Sequence, residues 1–217
     1  MCAVLPGMRR QTFSIGFKAL IKYLFMSHPV DHSFVKVFFA LWPTAAERSQ
    51  LAEWQIPLQH LCGGRTMRGE TLHNTLVFVG GIEQSRLAAL QLAALEVSAA
   101  CFEVCFDEAC YWSHNHIVYA APSHVPQKLA QLASALEHLL TVHRFKFEPR
   151  DYKPHVTLLR NARWADLPLP EMLPVCWQIN DFALVQSMRN GGLAGYRSLA
   201  RFALSKSGLT SGMPSSG

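Results

Sequence analysis

The sequence predicts an α+β fold of two lobes with a cleft between them, and three observations carry that expectation. The strings His73-Asn74-Thr75-Leu76 and His155-Val156-Thr157-Leu158 repeat one pattern, each at the head of an apolar strand-like run. Each is preceded by basic residues, Arg65 and Arg68 for the first and Arg150 and Lys153 for the second. Strand and helix patterns alternate between them with no Pro- or Ser-rich linker, so both strings belong to one folded unit with two roughly equivalent halves.

Residues 1–33 read as an extension. Phe13 to Met26 is apolar, but it is too short to span a bilayer and is interrupted by Lys18 and Lys22. A basic amphipathic helix lying on a membrane and a targeting address are two readings. The favoured one is a segment upstream of the true start, with Met26 as initiator, because regular strand pattern begins only at Phe34. The domain proper is expected over 34–206, and the Gly/Ser-rich stretch 207–217 is expected to be a disordered tail.

Phe34 to Leu41 reads as a central strand. Thr44, with Glu47 three residues on, forms a capping box that starts a helix through about His60, and Gly63-Gly64 ends it. Arg65 to Thr71 is a polar loop, Leu72 to Val79 the first motif strand, and Gly80-Gly81 a turn. Glu83 to Ala100 has helical composition and spacing. Cys101 to Ala109 and His116 to Ala121 alternate as strands, and Ser123 is placed to cap a helix from about Val125 to Thr141. In the second motif strand Pro154 suits the first position, and His155 and Thr157 share one face while Val156 and Leu158 share the other. Residues 161–174, with Pro168, Pro170 and Pro174, read as irregular. Trp177 to Ser187 and Tyr196 to Ser205 form a hairpin around Asn190-Gly191-Gly192.

Half of the residues are hydrophobic and 16% are charged, enough for a substantial core and against global disorder. Of the net charge of +5, most comes from Arg9, Arg10, Lys18 and Lys22 ahead of Phe34. A broad nucleic-acid-binding face is therefore not expected; a small basic site is. The six cysteines form no CxxC pair and read as buried free thiols of a reducing, cytoplasmic compartment. A zinc site from Cys110, His114 and His116 lacks a fourth ligand at ordinary spacing.

Two imidazoles, each able to hold or release a proton near neutrality, can serve one in-line displacement as base and acid. The hydroxyls of Thr75 and Thr157 and the guanidinium groups of Arg150 and Arg160 can bind non-bridging phosphate oxygens. No carboxylate cluster suited to magnesium and no Gly-rich phosphate loop accompanies either motif. These groups make a metal-free phosphodiesterase set.

Together these residues resemble the RNA 2′,3′-cyclic phosphodiesterases, also called 2′-5′ RNA ligases, of the two-histidine phosphoesterase superfamily. Arg150, Tyr152, Pro154 and His155 resemble that family's approach to its second motif, and Arg160 the basic residue after it. Leu184 to Ser187, Tyr196 and Leu199 to Phe202 resemble its closing hairpin. The resemblance spans about Phe34 to Ser205. It implies a pseudo-symmetric architecture, with antiparallel sheets lining a central cleft and helices outside. It also implies hydrolysis of RNA ends bearing a 2′,3′-cyclic phosphate to 2′-phosphomonoesters, with weak reverse 2′-5′ ligation. In that reading His73 protonates the departing 3′ oxygen, His155 activates water, and Thr75, Thr157, Arg150, Tyr152 and Arg160 bind substrate. No metal, no ATP, no membrane and no stable protein partner are implied, and a monomer is expected. Asn74 departs from the family, which is usually apolar there; alternation turns it away from the cleft. Two other readings stay open: an enzyme acting on 2′-5′ oligonucleotides or a small cyclic nucleotide, and a non-catalytic RNA-binding module.

Overall fold

The computed structural model describes residues 33–164, 168–190 and 193–206. The expectations for the N-terminal extension, the Gly191-Gly192 turn and the tail lie outside them. Strand β1 spans Phe34–Leu41, the bounds read from its apolar run. Helix α1, Ala45–Cys62, opens on the Thr44–Glu47 capping box and closes at Gly63. Next come β2 (Arg65–Thr66), β3 (Asn74–Glu83) and helix α2 (Leu87–Ala94). Strands β4 (Phe102–Phe106), β5 (Glu108–Trp112) and β6 (Ile117–Ala121) lead to helix α3, Gln127–Val142. Strands β7 (Val156–Arg160), β8 (Val175–Ile179), β9 (Asp181–Asn190) and β10 (Leu193–Ala203) complete the chain.

One antiparallel sheet runs in the order β10-β9-β1-β3-β7-β6-β5, with β2 paired to β7; β4 and β8 form a separate pair. The two motif strands, β3 and β7, are neighbours. They pair at one position, Asn74 opposite Val156, so the lobes are two halves of a sheet joined at a narrow seam. The helices cross over behind it. Helix α1, from the first half, packs on β7, and α3, from the second, packs on β3. Their apolar faces, Leu51, Trp54 and Leu58 on α1 and Leu129, Leu132, Leu136 and Leu140 on α3, enter one core with Phe39, Leu158, Phe106 and Trp177. Among the described residues no helix is long and apolar enough to cross a membrane.

Five departures from the sequence reading have physical causes. Gly80-Gly81 does not turn the chain; β3 continues to Glu83, and Gly80, with φ of 86°, sits where the β1–β3 register shifts. The helix expected over Glu83–Ala100 is shorter because the chain beyond it is drawn into pairing, with Ala99 and Cys101 bonded to Ser205. The strand expected over Cys101–Ala109 breaks at Asp107, whose carboxylate accepts from the backbone and hydroxyl of Ser123; Ser123 therefore does not cap α3, which starts after Pro126. The Trp177–Ser187 run splits at Asn180, whose carbonyl accepts from Leu204, and β8 and β9 go to different sheets. Cys105 and Cys176 are opposite each other in β4 and β8 and form a disulfide, against the expectation of free thiols; Cys62, Cys101 and Cys110 are free, and only Cys62 of these is buried.

Candidate active site

Each histidine stands just ahead of its strand, pegged by buried neighbours. Leu72 and Asn74 flank His73, and Pro154 and Val156 flank His155. Burial of the flanking residues turns the histidines and the threonines that follow to the opposite, open face. Continuing the Asn74–Val156 register by one residue places His73 opposite Thr157 and Thr75 opposite His155. The four side chains thus gather around the seam.

The same hydrogen bond orients both rings. His73 Nδ1–H donates to the Thr71 carbonyl at 2.7 Å, and His155 Nδ1–H donates to the Lys153 carbonyl at 2.7 Å. A carbonyl only accepts, so in each neutral ring Nδ1 carries the proton and Nε2 holds a free lone pair. Desolvation lowers the His73 pKa to about 4; the Thr71 carbonyl opposes it, and His155 and Arg160 add to it. Desolvation also lowers that of His155, with the Lys153 carbonyl opposing and Arg160 adding. At neutral pH the free site therefore holds two neutral imidazoles.

Aromatic rings wall both. Trp42 stacks on His73 at 5.3 Å and 11°, and Phe38 and Tyr196 stand at 5.0 and 4.9 Å. Trp112 lies edge-on to His155 at 4.6 Å, backed by Tyr119 at 4.2 Å. Sequence reasoning missed Phe38, Trp42, Trp112 and Tyr119 as site residues. The signal for the first two was alternation on β1, which sets Phe38, Ala40 and Trp42 against Val37, Phe39 and Leu41; Trp112 belongs to β5, which was not foreseen.

Two adjoining cavities open here. A smaller one, about 170 Å³, takes in His73, Thr75, His155, Thr157 and Arg160, with Phe38 and Tyr196. A larger one, about 510 Å³, shares Thr75, His155, Thr157 and Arg160 and extends past Trp112, His114, Arg150, Tyr152 and Lys153. Arg160 therefore stands where both meet. Arg150 is exposed and ion-paired with Glu148 at 2.5 Å. Tyr152 gives ring surface to the larger cavity, but its hydroxyl turns inward and donates to Asn74 Oδ1 at 3.3 Å. Of the earlier basic residues, Arg65 pairs across from Arg160 in β2, and Arg68 is exposed and paired with Glu70. Neither Arg65 nor Arg68 lines these cavities.

Among the described residues, Cys110, His114 and His116 do not converge. The only close set of metal-type donors among the described residues is Glu103, Cys105 and Cys176, and its two sulfurs are already bonded to each other. What the cleft does offer is two nitrogen bases, two hydroxyls and a guanidinium lining the smaller cavity.

A family model described as the 2′-5′ RNA ligase superfamily matches residues 42–191. The chain is 29% identical over 171 residues to the RNA 2′,3′-cyclic phosphodiesterase of Escherichia coli strain K12, an alignment covering 79% of this chain and 97% of that protein. The fold resembles the crystal structure of Escherichia coli LigT in apo form, with a TM-score of 0.73 at 28% identity over 80% of this chain and 99% of that one. Against LigT complexed with 3′-AMP the TM-score is 0.74 at 28% identity, over 80% of this chain and 100% of that one. With the family model matched across most of the fold, including both histidine strings, the chain belongs to the 2′-5′ RNA ligase superfamily.

Proposed function

We propose that this chain hydrolyses RNA ends bearing a 2′,3′-cyclic phosphate to 2′-phosphomonoesters, with His73 as general acid and His155 as general base. The observation that carries proton transfer by both rings is the matched pair of Nδ1–carbonyl bonds, which leaves both Nε2 atoms available to substrate; the division into acid and base follows the family resemblance. The likeness to an RNA 2′,3′-cyclic phosphodiesterase, and to a LigT structure holding 3′-AMP, supports the substrate class.

In this reading the smaller cavity holds the cyclic phosphate. A water gives a proton to His155 Nε2 as its oxygen attacks phosphorus. The P–O3′ bond breaks opposite, and the 3′ oxygen takes the proton from His73 Nε2, leaving a 2′-phosphate and a 3′-hydroxyl. Thr75, Thr157 and Arg160 hold the non-bridging oxygens as their charge grows. Arg150 and the Tyr152 ring contact the nucleotide part in the larger cavity. A general acid must carry its proton, and burial opposes that at His73. The bound phosphodiester supplies the opposing influence, since a negative charge beside Nε2 favours the imidazolium. Attack by a 5′-hydroxyl on the same phosphorus in place of water gives the weak 2′-5′ ligation. The test is product analysis on RNA ending in 2′,3′-cyclic phosphate, with EDTA present. A 2′-phosphate end is expected; a 3′-phosphate product, or none from a well-folded chain, would reject the assignment.

A further inference from the structure

Backbone pairing between the motif strands is confined to Asn74 and Val156. A side-chain link crosses the same seam: the Tyr152 hydroxyl donates to Asn74 Oδ1 at 3.3 Å, joining residues 78 apart in the sequence. Asn74 is fully buried, and its Nδ2 has no acceptor among the described residues. A half-satisfied amide in a core is costly, and an apolar side chain would fill the position without that penalty. Packing therefore does not account for Asn74. Its place in the chain does. It lies between His73 and Thr75, on the opposite face, and Tyr152 stands three residues ahead of His155. Burial pushes the Tyr152 phenol well above its ordinary range, so the hydroxyl remains a donor throughout the working pH range.

We propose that the Asn74–Tyr152 hydrogen bond is a strut across the seam that sets the spacing of His73 and His155, making Asn74 and the Tyr152 hydroxyl positioning groups for the activity proposed above. The strut holds the segment leading into His155 against the strand that follows His73, from behind, where it obstructs no substrate. Reacting groups tolerate little displacement: a shift of about 1 Å can cost on the order of a hundredfold in rate.

Three variants test it. Tyr152→Phe deletes the hydroxyl and keeps the ring; Asn74→Leu replaces the amide with an apolar side chain of similar size; the double variant leaves neither partner unsatisfied. Each is expected to lower kcat by about ten- to a hundredfold, with KM within about threefold. The double variant should match the singles, since all three break one bond. A second reading needs no substrate. In an NMR titration of the imidazoles, His73, whose midpoint is held down to about 4, should titrate at higher pH in Tyr152→Phe as the ring moves away from His155 and Arg160 and gains water. Wild-type kcat in a double variant of recovered Tm would reduce the pair to packing and overturn the strut, as would an unmoved His73 midpoint in Tyr152→Phe. A wild-type chain inert toward cyclic phosphate ends would instead reject the proposed function, and the midpoints alone would then decide the strut.

Discussion

Arg65 and Arg160 lie directly opposite each other in the β2–β7 pairing, two like charges on adjacent strands, of which only Arg160 lines the smaller cavity. Opposed like charges weaken a sheet. The close approach that creates the pair is permitted by Gly64, with φ of 83°, where a Cβ would come within 2.7 Å of the Arg160 carbonyl. The arrangement makes sense if an anion is the missing third member. Arg160→Ala should therefore weaken phosphate binding by about ten- to a hundredfold, the scale of a charge-assisted hydrogen bond, while Tm does not fall. Arg65→Ala relieves the same repulsion with a smaller loss of affinity. Calorimetric titration and thermal melts check both; a drop in Tm with affinity intact in Arg160→Ala would sink the reading.

Arg150 is expected to matter less. It is exposed and already paired with Glu148, and such pairs contribute about 0–1 kcal/mol. Arg150→Ala should change kcat/KM by at most about fivefold at low salt, an effect that shrinks as ionic strength rises. A salt-independent loss of a hundredfold would place Arg150 in the chemistry instead.

Removal of either imidazole proposed for proton transfer should be severe. His73→Ala and His155→Ala are each expected to lower kcat/KM by about 10²–10⁴, and the double variant should cost far less than the product of the two. Tm should hold, because both rings face the open side. Robust turnover by a folded double variant would disprove the acid–base assignment.

The depressed histidine pKa values have a definite sign. Between the ordinary value of 6.5 and the folded value of about 4, the unfolded chain binds more protons than the native one at His73. Stability from this group is thus present above 6.5 and is lost as pH falls toward 4. The same direction holds at His155. Chemical denaturation at stepped pH should show the decline, and His73→Ala should flatten it. Phosphate reverses the bias, so its binding at pH 6–7 should draw protons from the buffer, visible as binding heats that vary with buffer ionisation enthalpy. Heats independent of buffer would contradict it.

The Cys105–Cys176 disulfide joins β4 to β8, away from the motif strands, across a sequence separation of 71 residues. Loop closure of that size stabilises by at most about 4 kcal/mol. Cys105→Ser should lower Tm and leave kcat unchanged. Mass spectrometry of the unreduced protein should find the 105–176 crosslink.

Much of the site was legible in the sequence because it was built from local patterns. The alternation of His155 and Thr157 with Val156 and Leu158 decides which side chains reach the cleft, and it needs no tertiary information. The Thr44–Glu47 cap is likewise local. What could not be read depended on distant partners. Ser123 has a cap's composition, but Asp107 claims it; the Ala/Leu run up to Leu95 favours a helix that continues, but Ser205 draws Ala99 and Cys101 into pairing. Gly80-Gly81 looks like a turn and serves as an irregularity within a strand. The aromatic walls were missed because Trp42 and Trp112 become neighbours of the histidines only after β1 and β5 take their places in the sheet. Asn74 was seen to face away from the cleft, but its partner Tyr152 lay beyond any sequence pattern.

The crossed helices carry one more consequence. Neither half of this chain is a folding unit, because the apolar back of β3 is covered by α3 and that of β7 by α1. A chain nicked between Ala121 and Gln127 would yield an N-terminal fragment with β3 uncovered and a C-terminal fragment with β7 uncovered, each lacking the helix the other holds. Separately they should be sticky and inert; mixed, they should complement each other, and the return of activity would report the moment the halves exchange their helices.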